Sequence, residues 1–350
     1  MSDLNSSIFA GPQNGAWASQ WREALRSYNL DTDRVQARLI GYSENATYRC
    51  EDAESGHSYI LRLHRPGFRS KAHIRSELQW IEQLRQDRVV STPGVRRTAS
   101  GELVGEFSTA DGTVQYAVLF EHMRGTEPSV DSLASVMFQI GTLTARLHQH
   151  ARLWSRPEGF ERPEWTIRTL IGQDSLWGRW TDTPEVDLIP GARSLLRDAE
   201  RKATDELAEY GMARDRYGLI HGDLRSTNLL IEDTQVNVID FDDCGFGWFM
   251  YDLACSLSFN EHHQMVDRWV QEWIRGYNCV HQLRAEDVYV IPALVMIRRL
   301  LLVSWLEARR ETELANGIRG TFVEESVQIA RKYLSDEFLA FCLVPVEAGT

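Results

Sequence analysis

The prevailing period of the apolar positions of this chain changes near residue 120. Before that point, short stretches alternate apolar with polar residues, as half-buried strands do. The segment 58–64 sets Tyr59, Leu61 and Leu63 against Ile60, Arg62 and His64. Comparable β-like runs lie at 35–40, 46–50, 102–107 and 114–120, with Gly101 and the pair Asp111, Gly112 as turn residues. One helix interrupts them, because Ile74, Leu78, Ile81 and Leu84 recur at helical spacing across 69–87, with Glu77 beside the stripe. A further amphipathic helix over 16–28 carries Trp17, Trp21, Leu25 and Tyr28 on one face. The pattern over 33–120 predicts a mostly antiparallel sheet with a single inserted helix.

Beyond a connector at 121–125 the period becomes helical. Leu133, Met137, Ile140, Leu143 and Leu147 form one stripe; Leu195, Ala199, Ala203 and Leu207 form a second that ends at Gly211. Met265, Trp269, Trp273 and Tyr277 make a third, and Ile291, Leu294, Leu301 and Trp305 a fourth. The stretch 151–190, rich in Trp, Pro and Gly, predicts no firm element. The expected fold class is α+β in two lobes. Residues 1–123 supply the N-terminal helix and β-rich lobe, and 124–350 a larger, mostly helical lobe.

One stretch, 219–252, breaks the helical regime. Apolar runs at 229–231 and 236–239, joined by a turn-like 232–235, predict a hairpin. His221, Asp223 and Asn228 precede it, and Asp240 follows twelve residues after Asn228. A carboxylate and an amide at one end would thus face a second carboxylate. One such group suits proton abstraction, and the other two suit oxygen ligation of a hard divalent cation.

Composition narrows the classes. Hydrophobic residues at 43% and charged residues at 25% are ordinary for a globular protein. A formal charge of −12 argues against a broad nucleic-acid footprint. The five cysteines are scattered without a CxxC pair, so neither a disulfide framework nor a zinc site is indicated. No basic-then-apolar leader opens the chain, and the most apolar stretch, 288–306, is interrupted by Arg298 and Arg299. A reduced, cytoplasmic protein without a membrane or nucleic-acid partner is expected; nothing here specifies an oligomeric state. Lysine occurs only at Lys71, Lys202 and Lys332.

The spacing His221-x-Asp223-x4-Asn228 matches the kinase catalytic loop H-R-D-x4-N with glycine for arginine, and Asp240-Phe241-Asp242 stands where D-F-G would. HGDLRSTNLL…VIDFDDCGFGWFMYDLA closely resembles the aminoglycoside phosphotransferase and choline kinase-like superfamily, which has a protein-kinase-like fold. Upstream, YILRLHRP, SELQWIEQL and LFEHMRG are similar to its third strand, following helix and hinge. The likeness runs over roughly 35–335 and is nearest the branch of the bacterial stress-response kinase and type II homoserine kinases.

The resemblance implies an ATP- and Mg2+-dependent phosphotransferase. Asp223 would be the catalytic base, Asn228 and Asp240 the Mg2+ ligands, and His221 and Asp252 supports of the loop. Arg62 stands at the position of the nucleotide lysine, with Glu77 fifteen residues on as its partner. Arginine's planar fork binds phosphate with a different reach and geometry. Ser43 and Asn45, in GYSENATY, sit where the phosphate-covering loop belongs, and Glu121 and Met123 bound the hinge that would offer backbone groups to adenine. Only twelve residues separate Asp240 from Asp252 and no A-P-E follows, so control by activation-loop phosphorylation is not expected.

The expected acceptor is a hydroxyl-bearing small molecule such as an amino alcohol, amino acid or sugar-like compound. The alternatives are a serine/threonine protein kinase and, given the missing lysine, a nucleotide-binding pseudokinase. Walls for the acceptor are sought in 151–190, Asp242 with Asp243, and Glu261 with His262 and His263.

Overall fold

The computed structural model describes residues 16–42, 45–109, 112–129 and 132–344. The chain divides into two compact units. The first runs to Gly125 and takes in two later segments, Arg156–Arg162 and Asn237–Asp242. The second holds Thr126–Ser155, Pro163–Val236 and the chain from Asp243 on.

In the first unit, helix α1 (Ala16–Arg26) precedes strands β1 (Val35–Tyr42), β2 (Asn45–Asp52) and β3 (Ser58–His64). Helix α2 (Lys71–Gln86) follows, then β4 (Val95–Arg96), β5 (Gly105–Ser108) and β6 (Val114–Glu121). Among the described residues these six strands form one antiparallel sheet in the order β1-β2-β3-β6-β4, with β5 also on β6. Strand alternation sorts the side chains of β3. Tyr59, Leu61 and Leu63 enter a core shared with Trp21, Leu25, Tyr28, Ala46, Tyr48 and Cys50. α1 thereby covers that face of the sheet, and the Tyr28 hydroxyl fixes it by donating to the Ala117 carbonyl at 2.9 Å. Arg62 and His64 point to the other face, with Asn45 opposite His64 and Thr47 opposite Arg62. Ser70 caps α2 by accepting from the His73 amide, and Ile74, Leu78, Ile81 and Leu84 are buried as the spacing predicts. The two-residue β4 carries too little pattern to be read from sequence. The side chain of Trp17 lies outside the described residues.

The second unit is mostly helical. Among the described residues its main helices are α3 (Leu133–Leu153), α4 (Ala192–Tyr210), α5 (Tyr251–Ser256), α6 (Val266–Asn278), α7 (Ile291–Ala308) and α8 (Glu313–Leu334), with single turns at Ile167–Leu170 and Ala285–Tyr289. Helices α3 and α6 touch backbone to backbone. A Cβ on Gly141 would meet the Trp273 carbonyl oxygen at 2.0 Å, and one on Gly276 would meet that of Phe138 at 1.9 Å. Reciprocal glycines therefore permit this crossing. The buried stripe of α4 runs through Ala192 and Leu196, not Leu195, then continues through Ala199, Ala203 and Leu207 as expected. Gly211 ends it at φ +76°. The stretch Ala285–Ala308 is long and apolar enough to cross a membrane, yet 83% of its most apolar window is buried within the fold.

Four short strands complete the picture: β7 (Tyr217–Ile220), β8 (Leu229–Glu232), β9 (Gln235–Val238) and β10 (Gly245–Trp248). β7 and β10 pair antiparallel, and β8 and β9 form the expected hairpin. The hairpin turns at Asp233, whose φ of +53° is one aspartate tolerates.

Candidate active site

Most of the sequence-predicted residues fall in two groups, one in each unit. In the first unit, β3 carries Arg62 and α2 carries Glu77. Arg62 donates to Glu77 and, at 3.2 Å, to Oδ1 of Asp240. Its side chain is only 6% exposed and that of Glu77 is wholly buried. A guanidinium suits this position because its fork reaches two carboxylates at once. Asp240 occupies the left-handed region at φ +59°, and its side chain is 53% exposed. Asp242 is buried and its Oδ2 accepts from the Asn45 side-chain amide at 3.0 Å. This bond ties the start of β2 to the D-F-D segment. Ser43 lies outside the described residues.

Burial of so many charges requires balance, since an unpaired buried ion costs several kcal/mol (about 3–5 when one partner is removed). Here Arg62, Arg69 and Arg162 offset Glu77, Asp240 and Asp242. Burial works against the Arg62 charge, but Glu77, Asp242 and Asp240 outweigh it and raise its pKa above the ordinary arginine value. Burial alone would raise the Asp242 carboxyl; Arg62, Arg69 and Arg162 instead hold it far below the usual carboxylate range. Glu77 is pushed up by burial against the pull of Arg62. His64 is pushed down to about 3, chiefly by burial and then by Arg62, so it is neutral. Among the described residues neither of its ring nitrogens has a hydrogen-bond partner. Arg162 joins the group by donating to the carbonyls of His73, at 2.8 Å, and Asp242.

Glu121 is the last residue of β6 and Met123 lies two residues beyond it. The Glu121 amide donates to the Gly94 carbonyl at 2.8 Å and the His122 amide to that of Ser58 at 3.1 Å. The Glu121 side chain is exposed.

In the second unit, β7 delivers the chain into His221-Gly222-Asp223. Gly222 has φ +79°, and a Cβ there would meet the Asp243 carbonyl oxygen at 2.4 Å and Trp165 Nε1 at 3.0 Å. The chain can therefore carry only glycine where H-R-D carries arginine. Asp252, at the start of α5, accepts from the amides of His221 at 3.0 Å and Gly222 at 2.7 Å. His148 Nε2 lies 3.0 Å from the same carboxylate, and His148 Nδ1 is 3.0 Å from the Tyr277 hydroxyl. His148 and Asp252 are both fully buried. Burial lowers the His148 pKa, so the neutral ring donates from Nε2 and accepts at Nδ1. Burial alone would raise Asp252, but His148, His221 and the Gly222 amide hold it below the ordinary value. The α3–α6 crossing thus braces the loop through Tyr277, His148 and Asp252. His221 is buried and its Nδ1 lies 3.4 Å from the Asp223 amide.

Among the described residues Asn228, Arg225 and Arg298 hold Asp223. Asn228 Nδ2 donates to its Oδ2 at 2.9 Å and to its carbonyl at 2.7 Å. Arg225 Nε stands 3.1 Å from Oδ2, and Arg298 Nη2 donates to Oδ1 at 2.7 Å. Because the Asn228 nitrogen is committed to Asp223, its amide oxygen is the atom left to serve a ligand. In the sequence Arg298 is only a break in an apolar run, with no sign of its tie to Asp223. Two arginines inside such a run are themselves a signal, because buried charges need partners.

Two expectations about acceptor walls change. Asp242 is committed to Asn45 and the arginines of the first unit. Glu261, expected as an acidic wall, is fully buried and paired with Arg299 at 2.7 Å.

Comparison with known proteins follows the same lines. The model described as the phosphotransferase enzyme family matches residues 36–288. The solved structure of a microcompartment-associated aminopropanol kinase is 36% identical, with a TM-score of 0.84 over 92% of this chain and 99% of that one. Amicoumacin kinase of Bacillus subtilis (strain 168) is 22% identical over 302 residues, 81% of this chain and 83% of that protein. The structure of an amicoumacin kinase in complex with AMP-PNP and Ca2+ is 21% identical, with a TM-score of 0.70 over 89% of this chain and 93% of that one. These structures share the kinase-like α+β fold.

Proposed function

This chain belongs to the phosphotransferase enzyme family, as a small-molecule kinase with a hydroxyl acceptor, and we propose that it passes the γ-phosphoryl group of ATP to the hydroxyl of a small amino alcohol. The observation that carries the substrate class is the likeness to an aminopropanol kinase over 92% of the chain at 36% identity.

In this reading Asp223 takes the proton of the acceptor hydroxyl. The acceptor oxygen forms a bond to the γ-phosphorus as the bond from phosphorus to the β,γ-bridging oxygen breaks. ADP leaves with that electron pair. Asp252, through the His221 and Gly222 amides, fixes the loop that presents Asp223. Such positioning, together with neutralisation of charge on the phosphate oxygens, supplies most of the catalysis in phosphoryl transfer.

Asn228 and Asp240 are the proposed ligands of a divalent cation. The free amide oxygen of Asn228 fits that role, as does the half-exposed carboxylate of Asp240. Among the described residues no cluster of three or more His, Cys, Asp or Glu side chains could hold a metal unaided. Mg2+ suits such a set, because it is commonly held by one or two protein oxygens together with substrate phosphates. Bound there, it would neutralise charge on the phosphate oxygens. The AMP-PNP and Ca2+ of the amicoumacin kinase structure support a nucleotide and a divalent cation. Arg62, paired with Glu77, is the proposed counterpart of the nucleotide lysine, and Ser43 and Asn45 are proposed contacts of the ATP phosphates. Glu121 and Met123 would offer backbone groups to adenine.

The test is ADP release by the purified protein with Mg2+-ATP and a panel of amino alcohols, amino acids, aminoglycosides and a generic protein substrate. The proposal expects turnover on amino alcohols that is lost in Asp223→Asn. Turnover on the protein substrate with none on the amino alcohols would overturn it.

A further inference from the structure

Arg298 lies on α7, in a helix buried on nearly every side. Its guanidinium is spent on three groups of the second unit. Nη2 donates to Asp223 Oδ1 at 2.7 Å, Nε to Ser258 Oγ at 3.0 Å, and Nη1 reaches the Tyr251 hydroxyl at 3.4 Å. Arg298 is 7% exposed and the Asp223 side chain 14%. A charge-assisted bond this short and this well shielded fixes geometry as well as charge.

From this geometry we infer that Arg298 is a positioning residue for Asp223, which it holds in the one orientation that presents the carboxylate to an acceptor hydroxyl. The inference rests on the reading of Asp223 as the proton acceptor. Asn228 and Arg225 come from the same short loop as Asp223 and both address Oδ2. They leave the other oxygen free to swing about the carboxylate axis. Arg298 alone among these three arrives from a separate element, and it takes Oδ1. Ser258 and Tyr251 hold the guanidinium in turn, so the position of Asp223 is tied to α7 and to the start of α5. The guanidinium also keeps a negative charge at Asp223 tolerable in a shielded site.

The role differs from helix packing, and so do its consequences. Arg298→Met removes the donor and keeps most of the apolar volume. Arg298→Lys keeps the charge without the fork. Arg298→Ala leaves room for a free guanidinium ion. Misplacement of a catalytic group costs about 100-fold in rate. Accordingly kcat falls by about that factor in Arg298→Met and less in Arg298→Lys, with the KM for ATP within about threefold of wild type, since an interaction confined to the transition state lowers kcat and not binding. Millimolar guanidinium restores part of the activity of Arg298→Ala and does nothing for Asp223→Asn.

Three results would overturn the inference: kcat unchanged in the folded Arg298→Met protein, a rise in KM with kcat intact, or no rescue of a folded Arg298→Ala. Should Arg298→Met fail to fold, Arg298→Lys decides by the same split between kcat and KM. A crystal structure of the Met or Lys variant gives a readout independent of turnover. The inference expects the Asp223 carboxylate to be displaced, and an unmoved carboxylate would refute it. If the wild type turns over no amino alcohol, the substrate reading fails while the crystal structure still decides the role of Arg298.

Discussion

Asn228 turns its side-chain nitrogen to Asp223, 2.9 Å from the carboxylate Oδ2 and 2.7 Å from the backbone carbonyl. The bond assigns the two ends of the amide. Nitrogen braces the proposed base, and oxygen is left for the proposed cation. Asn228→Ala removes both functions at once. The half-saturating Mg2+ concentration should rise by about 10- to 100-fold, as when a partner of a metal site is lost, together with a fall in kcat. Titration of activity against Mg2+ checks this, and an unchanged midpoint would separate Asn228 from the metal.

Arg62 is the keystone of the charge balance in the first unit. Arg62→Met leaves Glu77 buried without its counter-charge, and stability should drop by about 3–5 kcal/mol. Arg62→Lys retains the charge but not the two-pronged reach to Glu77 and Asp240, so it should fall between Met and wild type, with a raised KM for ATP. Denaturant unfolding and ATP kinetics on the two variants test the ordering. Lysine equal to wild type in both would show that the fork is dispensable.

Asp252 and His148 should behave as one unit. Each single variant, Asp252→Asn or His148→Phe, disturbs the same chain from Tyr277 to the loop amides. The double variant should therefore be less destabilised than the two singles added, with a coupling of about 0.5–3 kcal/mol. A double-mutant cycle by denaturant unfolding measures it. Strict additivity would contradict the proposed brace.

His64 gives the fold a defined acid sensitivity. Its folded pKa is depressed, from 6.5 to about 3, chiefly by burial. Above pH 6.5 the ring is neutral in both states and its contribution is complete. As pH falls from there towards 3, the unfolded chain takes up a proton that the folded chain refuses, so stability is lost. Wild type should lose about 1.4 kcal/mol per pH unit more than His64→Gln in that window, the slope for one proton. Unfolding titrations at successive pH values compare the two slopes. Parallel curves would mean that His64 is protonated in the folded protein.

Much of this was legible from spacing. The period-2 and helical runs located the sheet, α2, α3 and α6, and the motif pointed to His221, Asp223, Asn228 and Asp252 around one loop and to Glu77 as the partner of Arg62, while the contact of Arg62 with Asp240 had no sequence signal. What stayed hidden depends on contacts between residues distant in sequence. Arg298 is separated from Asp223 by 75 positions, and His148 from Asp252 by 104, so no local pattern joins either pair. Helix α8 was missed for a local reason: Gly317 and Gly320 lie within it and weaken its helical signal. Leu195 and Leu196 both fit the stripe of α4 by spacing, and the structure buries Leu196.

The central claim is transfer of phosphate from ATP to an amino alcohol with Asp223 as the proton acceptor. Phosphorus NMR of a reaction mixture with Mg2+-ATP and 1-amino-2-propanol tests it most directly. The account predicts a phosphomonoester resonance that grows one-for-one with ADP and is missing with Asp223→Asn. Inorganic phosphate as the sole product, or an ester formed equally well by Asp223→Asn, would contradict it.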